Sequence, residues 1–89
     1  MTIEELLKLY PSTTEKDWHP HKNGGGWIQN TVKIDDSVFV GHDARVSGDA
    51  QVYGNAWVYG NARVYGNARV SGDARVYGNA QVSGDARVY

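Results

Sequence analysis

The chain of 89 residues has no cysteine, one methionine, one phenylalanine and only two prolines. Without cysteine there is no disulfide framework and no thiolate for zinc, redox or nucleophilic chemistry. No apolar run approaches the ~20 residues that a membrane helix needs, so no membrane partner is expected. The first residues also lack the charged segment and apolar core of a secretory signal, which makes the cytoplasm the expected location. An excess of basic charge is absent as well: the net charge is −1, and residues 32–89 carry Lys33 and five arginines against six aspartates. Nucleic-acid binding draws on a basic surface that displaces counterions, so nucleic acid is not an expected partner.

Local order is legible at the start of the chain. Thr2 and Glu5 have capping-box spacing, and Ile3, Leu6, Leu7 and Tyr10 form one apolar stripe, which predicts a helix from Met1 to Tyr10 ended by Pro11. Ser12 with Glu15 suggests one further turn around Asp17 and Trp18. His19 to Gly26 reads as a loop, because Pro20 and the run Asn23-Gly24-Gly25-Gly26 break regular structure.

What the chain has in abundance is a six-residue period. From Ala44 onward the unit Ala-x-Val-x-Gly-Asp/Asn recurs without a break, and counting back in sixes carries the aliphatic position to Val40, Ile34 and Ile28. A period this short cannot bury its own apolar side and must stack on its neighbours. In Ala50-Gln51-Val52-Tyr53 small or aliphatic residues alternate with polar or large ones, the pattern of a short strand with Ala and Val inward. Gly54-Asn55 then makes a corner, where glycine accepts positive φ and Asn or Asp tolerates left-handed geometry. Three strands and three corners close a coil of eighteen residues. Two domains are expected: a helix-and-loop cap over residues 1–27 and the repeat body over 28–89.

This pattern, an aliphatic residue followed four positions later by a small one, resembles the hexapeptide-repeat family. The resemblance covers Ile28 to Tyr89. It implies an all-β fold, a left-handed parallel β-helix of a little over three coils, with the short N-terminal α-helix capping one end. The chain is also similar to small bacterial and phage hexapeptide-repeat proteins, for which binding, blocking or scaffolding another protein is the implied role. The family's acyltransferases use a histidine as general base in a cleft between subunits, and its carbonic anhydrases hold zinc with three histidines. Here His42, at a corner of the repeat, is the candidate base, although the insertions that build such clefts are missing. His19 and His21 are the candidate metal ligands, with no third ligand evident. No cofactor is expected.

With eighteen residues per coil, outward positions fall into columns. One face gathers Phe39, Trp57, Tyr59, Arg75 and Tyr77, residue types that dominate binding hot spots, and is the expected protein interface. A second outward face carries Arg45, Arg63 and Gln81 beside Ser47, Tyr65 and Ser83. Val88 and Tyr89 open a unit that stops in mid-coil. Arg87, Val88 and Tyr89 are therefore expected to meet another copy end to end, most simply in a two-fold dimer. Lateral trimerisation through the aromatic face and membership of a longer repeat array are the alternatives. The resulting expectation is a non-enzymatic, homo-oligomeric interaction module, with an acyltransferase-like protein as the second reading.

Overall fold

A computed structural model describes residues 2–89. Helix α1 spans Ile3–Leu9 and is opened by the expected capping box: the Glu5 N–H donates to Thr2 Oγ1 at 3.2 Å, and the Thr2 N–H donates to Glu5 Oε1 at 3.0 Å. Met1, the first residue of the expected helix, lies outside the described residues. Of the apolar stripe, Leu6 is fully buried, while Ile3, Leu7 and Tyr10 are half-buried. The next turn is a single 3-10 turn at Glu15–Asp17, and its cap differs from the expected Ser12 and Glu15 pair. The Thr14 N–H donates to the Asp17 carboxylate at 2.9 Å, so the box sits two residues later.

Twelve short strands follow. They are β1 (Trp18–Pro20), β2 (Trp27–Gln29), β3 (Lys33–Ile34), β4 (Phe39–Val40), β5 (Arg45–Val46), β6 (Gln51–Val52), β7 (Trp57–Val58), β8 (Arg63–Val64), β9 (Arg69–Val70), β10 (Arg75–Val76), β11 (Gln81–Val82) and β12 (Arg87–Val88). From β2 to β9 every strand pairs in parallel with the strand three places later, in the sheets β1-β2-β5-β8-β11, β3-β6-β9-β12 and β4-β7-β10. The register is 18 residues, as in Trp27 opposite Arg45 and Phe39 opposite Trp57. The body is thus a three-sided β-solenoid of about three coils. Its ladder runs from N–H groups of one coil to C=O groups of the next, for example Phe39 to Ala56 at 3.0 Å and Gly41 to Val58 at 2.7 Å.

The interior follows from the repeat. Ile28 and the valines at 40, 46, 52, 58, 64 and 70 are fully buried, interleaved with Ala44, Ala50, Ala56, Ala62 and Ala68. Each such valine contributes roughly 1.5–3 kcal/mol through burial. The corners correct one expectation: among the described residues no Asn or Asp adopts positive φ. Glycine alone takes that conformation, as at Gly66 with φ of 71°. The next residue, Asn67, keeps an ordinary backbone and uses its N–H instead, donating to the Gly84 carbonyl of the following coil at 2.9 Å.

The segment after α1 closes edges of the first coil. β1, in the stretch expected to begin a loop, pairs antiparallel with β2, placing Trp18 opposite Gln29 and Pro20 opposite Trp27. An exposed sheet edge offers ladder partners that the local sequence does not announce. Beside it, Gly26 N–H donates to the Val40 carbonyl and Val40 N–H to the Asn23 carbonyl, both at 2.9 Å. α1 is braced on this segment through Tyr10, whose ring lies 5.0 Å from that of Trp18. The Trp18 indole N–H donates to Thr13 Oγ1 at 2.9 Å. Arg45 and Ser47, outward-facing on β5 and its corner, are only 4% and 6% exposed. Burial pushes the Arg45 guanidinium down from its usual value, an effect reinforced by the like charge of Arg63 and opposed by Tyr10 and Asp43. No helix of the described residues is long and apolar enough to cross a membrane.

Candidate protein-contact surface

The sheet β4-β7-β10 stacks Phe39, Trp57 and Arg75 in one outward column, while Gly41, Tyr59 and Tyr77 lie two residues further along. The rings touch in sequence. Phe39 and Trp57 have centroids 4.9 Å apart and are tilted by 34°. Trp57 meets Tyr59 edge-on at 6.1 Å, and Tyr59 stacks on Tyr77 at 5.4 Å with an interplanar angle of 12°. The Arg75 guanidinium sits 5.8 Å from the Trp57 ring centroid, a cation–π distance. Trp57 remains 47% exposed and Tyr77 59% exposed. The result is a continuous aromatic strip with one positive charge, held on a rigid sheet.

At one edge of the strip lies a shallow cleft of about 290 Å³ lined by Phe39, Gly41, Trp57, Tyr59 and Gly60, with His42 and Asp43 at its side. The structure therefore brings the candidate base His42 to the same place as the interface residues. His42 Nε2 lies 3.5 Å from Asp43 Oδ2, and its side chain is 79% exposed. Gly60 was not singled out by sequence. Its place in the cleft follows only from the eighteen-residue stacking that puts it beneath the corner Gly41-His42-Asp43.

The other candidates lie elsewhere. His19 Nδ1 is 2.7 Å from Asn30 Oδ1, in an exposed contact between β1 and the first corner. His21 is buried, with Nε2 2.7 Å from the Val38 carbonyl. Among the described residues no group of three or more His, Cys, Asp or Glu is placed to hold a metal ion. Arg87 and Val88 form β12, which pairs on one side only, with β9, and Tyr89 beside it is 88% exposed. Arg87 also lines a polar groove of about 470 Å³ with Asp49, Gln51, Asn67, Arg69 and Asp85.

Comparison with known families rests on the repeat. The family described as YdcK beta solenoid repeat matches residues 39–60, 50–66, 56–70, 62–78, 68–84 and 80–89, which together make up more than half of the chain. The chain belongs to the YdcK beta-solenoid repeat family. The matched stretch includes all five residues of the aromatic strip, so the surface is built on the family's repeat and not on the N-terminal segment. No curated protein and no solved structure matches the chain.

Proposed function

We propose that this YdcK-type solenoid is a non-enzymatic interaction module that self-associates and binds or blocks another protein through Phe39, Trp57, Tyr59, Arg75 and Tyr77. The observation that carries this reading is the unbroken ring stack with Trp57 and Tyr77 about half exposed. Aromatic and arginine side chains anchor interfaces because they bury large areas at low entropic cost, and contiguous exposed apolar patches mark contact sites. The proposed body is a left-handed coil, as the hexapeptide-like pattern implies, working in the cytoplasm of a bacterial or phage-encoded system. Self-association is proposed to run end to end in a two-fold dimer through Arg87, Val88 and Tyr89, with a lateral trimer through the aromatic face as the alternative.

The test compares the wild type with a Trp57→Ser/Tyr77→Ser variant by light scattering and by capture of partners from host extract. Loss of captured partner at unchanged fold supports the reading, and unchanged capture and mass reject this face. Val88→Asp is expected to halve the mass of an end-to-end dimer and to leave a lateral trimer intact. A second reading, acyltransferase-like chemistry, rests on His42 beside Asp43 at the cleft. It requires acyl-CoA binding that His42→Ala converts to a complex without turnover, and absence of acyl-CoA binding removes it.

A further inference from the structure

The three corners of the first coil are not equivalent. At the first, Gln29 Oε1 accepts the Gly48 N–H at 2.8 Å, and the Thr31 hydroxyl donates to the Gly48 carbonyl. At the second, Asp35 Oδ2 accepts the Gly54 N–H at 3.0 Å, and the Ser37 hydroxyl donates to the Gly54 carbonyl. In both, side chains from above saturate both backbone groups of the glycine below. The third corner places Gly41 where Gln29 and Asp35 stand, and Asp43 where Thr31 and Ser37 stand. Gly41 has no side chain to offer, and a Cβ there would lie 3.3 Å from Tyr59 Cβ. Beneath it Gly60 is exposed, and neither its N–H nor its C=O has a partner among the described residues. In the lower coils the carbonyls of Gly66, Gly72, Gly78 and Gly84 each accept a backbone N–H from the coil above. Gly60 is thus the one repeat-corner glycine with both groups unmet among the described residues, and it opens into the aromatic cleft.

We propose that this cleft receives the carboxamide side chain of a glutamine or asparagine from a partner protein, held by the Gly60 N–H and C=O. The inference rests on the protein-contact reading above and names the chemistry of the contact. The molecule displays the occupant itself: at the first corner the Gly48 N–H is already met by a carboxamide, that of Gln29. A carboxamide carries an acceptor and a donor on one planar group, which matches a free N–H beside a free C=O. A carboxylate offers no donor to the carbonyl. The cleft, about 290 Å³, lies at the small end of ligand pockets, suited to one side chain. Phe39, Trp57 and Tyr59 then take the apolar residues flanking the glutamine.

The test titrates the labelled full chain with acetyl-Leu-Gln-Leu-N-methylamide and follows the Gly60 amide and Trp57 indole signals by NMR. Saturable shifts at both are expected, with acetyl-Leu-Glu-Leu-N-methylamide binding about three- to tenfold more weakly for the loss of one hydrogen bond. Gly41→Gln, which supplies from within what Gln29 supplies at the first corner, is expected to abolish the Gly60 response. Asp43→Ser, which places a hydroxyl where Thr31 and Ser37 carry theirs, is expected to weaken it and serves if Gly41→Gln does not fold. Equal binding of the two peptides overturns the proposal, as does a Trp57 shift without one at Gly60. A response to benzamide but not to the glutamine peptide also overturns it, because the site would then take a free carboxamide. Any of these results leaves the protein-contact reading standing if Trp57→Ser/Tyr77→Ser still abolishes partner capture. Loss of that effect with an intact Gly60 response to the glutamine peptide removes the wider reading and keeps the site.

Discussion

Phe39 and Trp57 lie with ring centroids 4.9 Å apart because they are one full coil apart, in register on β4 and β7. The distance matches the ordinary spacing of paired strands, ~4.8 Å, so the backbone ladder itself sets the ring contact. Such a pair couples by about 0.5–1.5 kcal/mol beyond area burial. Trp57 is about half exposed, which places the expectation near the lower end. A double-mutant cycle of Phe39→Leu and Trp57→Leu, read by urea unfolding, should give a coupling of about 0.5 kcal/mol. Strict additivity would show that the rings are neighbours without interacting.

The same arithmetic shows what the sequence could and could not announce. Counting in sixes from Val88 back to Ile28 predicted the strands β2 to β12 and their register, because an inward Val every six residues leaves a solenoid no other way to bury its side. It also assembled the aromatic column. It could not place β1, because Trp18-His19-Pro20 is a strand only by virtue of the edge of β2. Nor could it place Arg45 under cover, since that depends on where the N-terminal segment lies against the body. The cleft escaped for a related reason: Gly41 and Gly60 look like two more repeat glycines until the coils are stacked.

Arg45 is a buried cation in the body of the solenoid. It is 4% exposed, its Nε atom has no hydrogen-bond partner among the described residues, and burial pushes its guanidinium down. An unsatisfied buried polar group costs about 1–3 kcal/mol. Arg45→Met keeps much of the packing volume and removes the buried charge, so it is expected to stabilise the chain by about 1 kcal/mol. That corresponds to a rise of roughly 4–8 °C in Tm. A lower Tm for Arg45→Met would mean that the guanidinium contributes an attraction that outweighs its desolvation.

The pH response of α1 has a defined sign. The Glu5 carboxylate lies below the usual glutamate range, chiefly because the Thr2 backbone N–H donates to it, assisted by the Thr2 hydroxyl. A carboxyl depressed by folding contributes stability that is present above its unfolded pKa and lost as pH falls through its folded value. The capping box is therefore expected to be complete at neutral pH and to open in mildly acid solution below the ordinary glutamate pKa. The Thr2 and Glu5 amide signals should shift together through that window. Glu5→Gln keeps an acceptor at the same place, so its amide signals should stay flat across the window. If they still titrate as in the wild type, another group controls the helix start.

Gly66 and Gly78 separate two reasons why the repeat needs glycine at its corners. Their φ angles are close, 71° and 65°, so an alanine at either would meet the same left-handed strain, about 1–2 kcal/mol. Their surroundings differ: a Cβ on Gly66 would lie 2.9 Å from the Gly84 nitrogen, whereas one on Gly78 would have nothing within 4 Å. The contact at Gly66 is with backbone, which cannot swing aside as a side chain can, so the two coils would have to part at that corner. Overpacking of that kind adds about 1–3 kcal/mol. Gly78→Ala should therefore lower stability by about 1–2 kcal/mol, and Gly66→Ala by at least about 1 kcal/mol more, in urea unfolding followed by near-ultraviolet absorbance of the tyrosines. Equal losses would mean that backbone conformation alone selects glycine here and that the stacked coils yield at no cost. A larger loss at Gly66 would identify the close approach of successive corners as a second, independent reason for the glycine at corners that have another corner stacked against them.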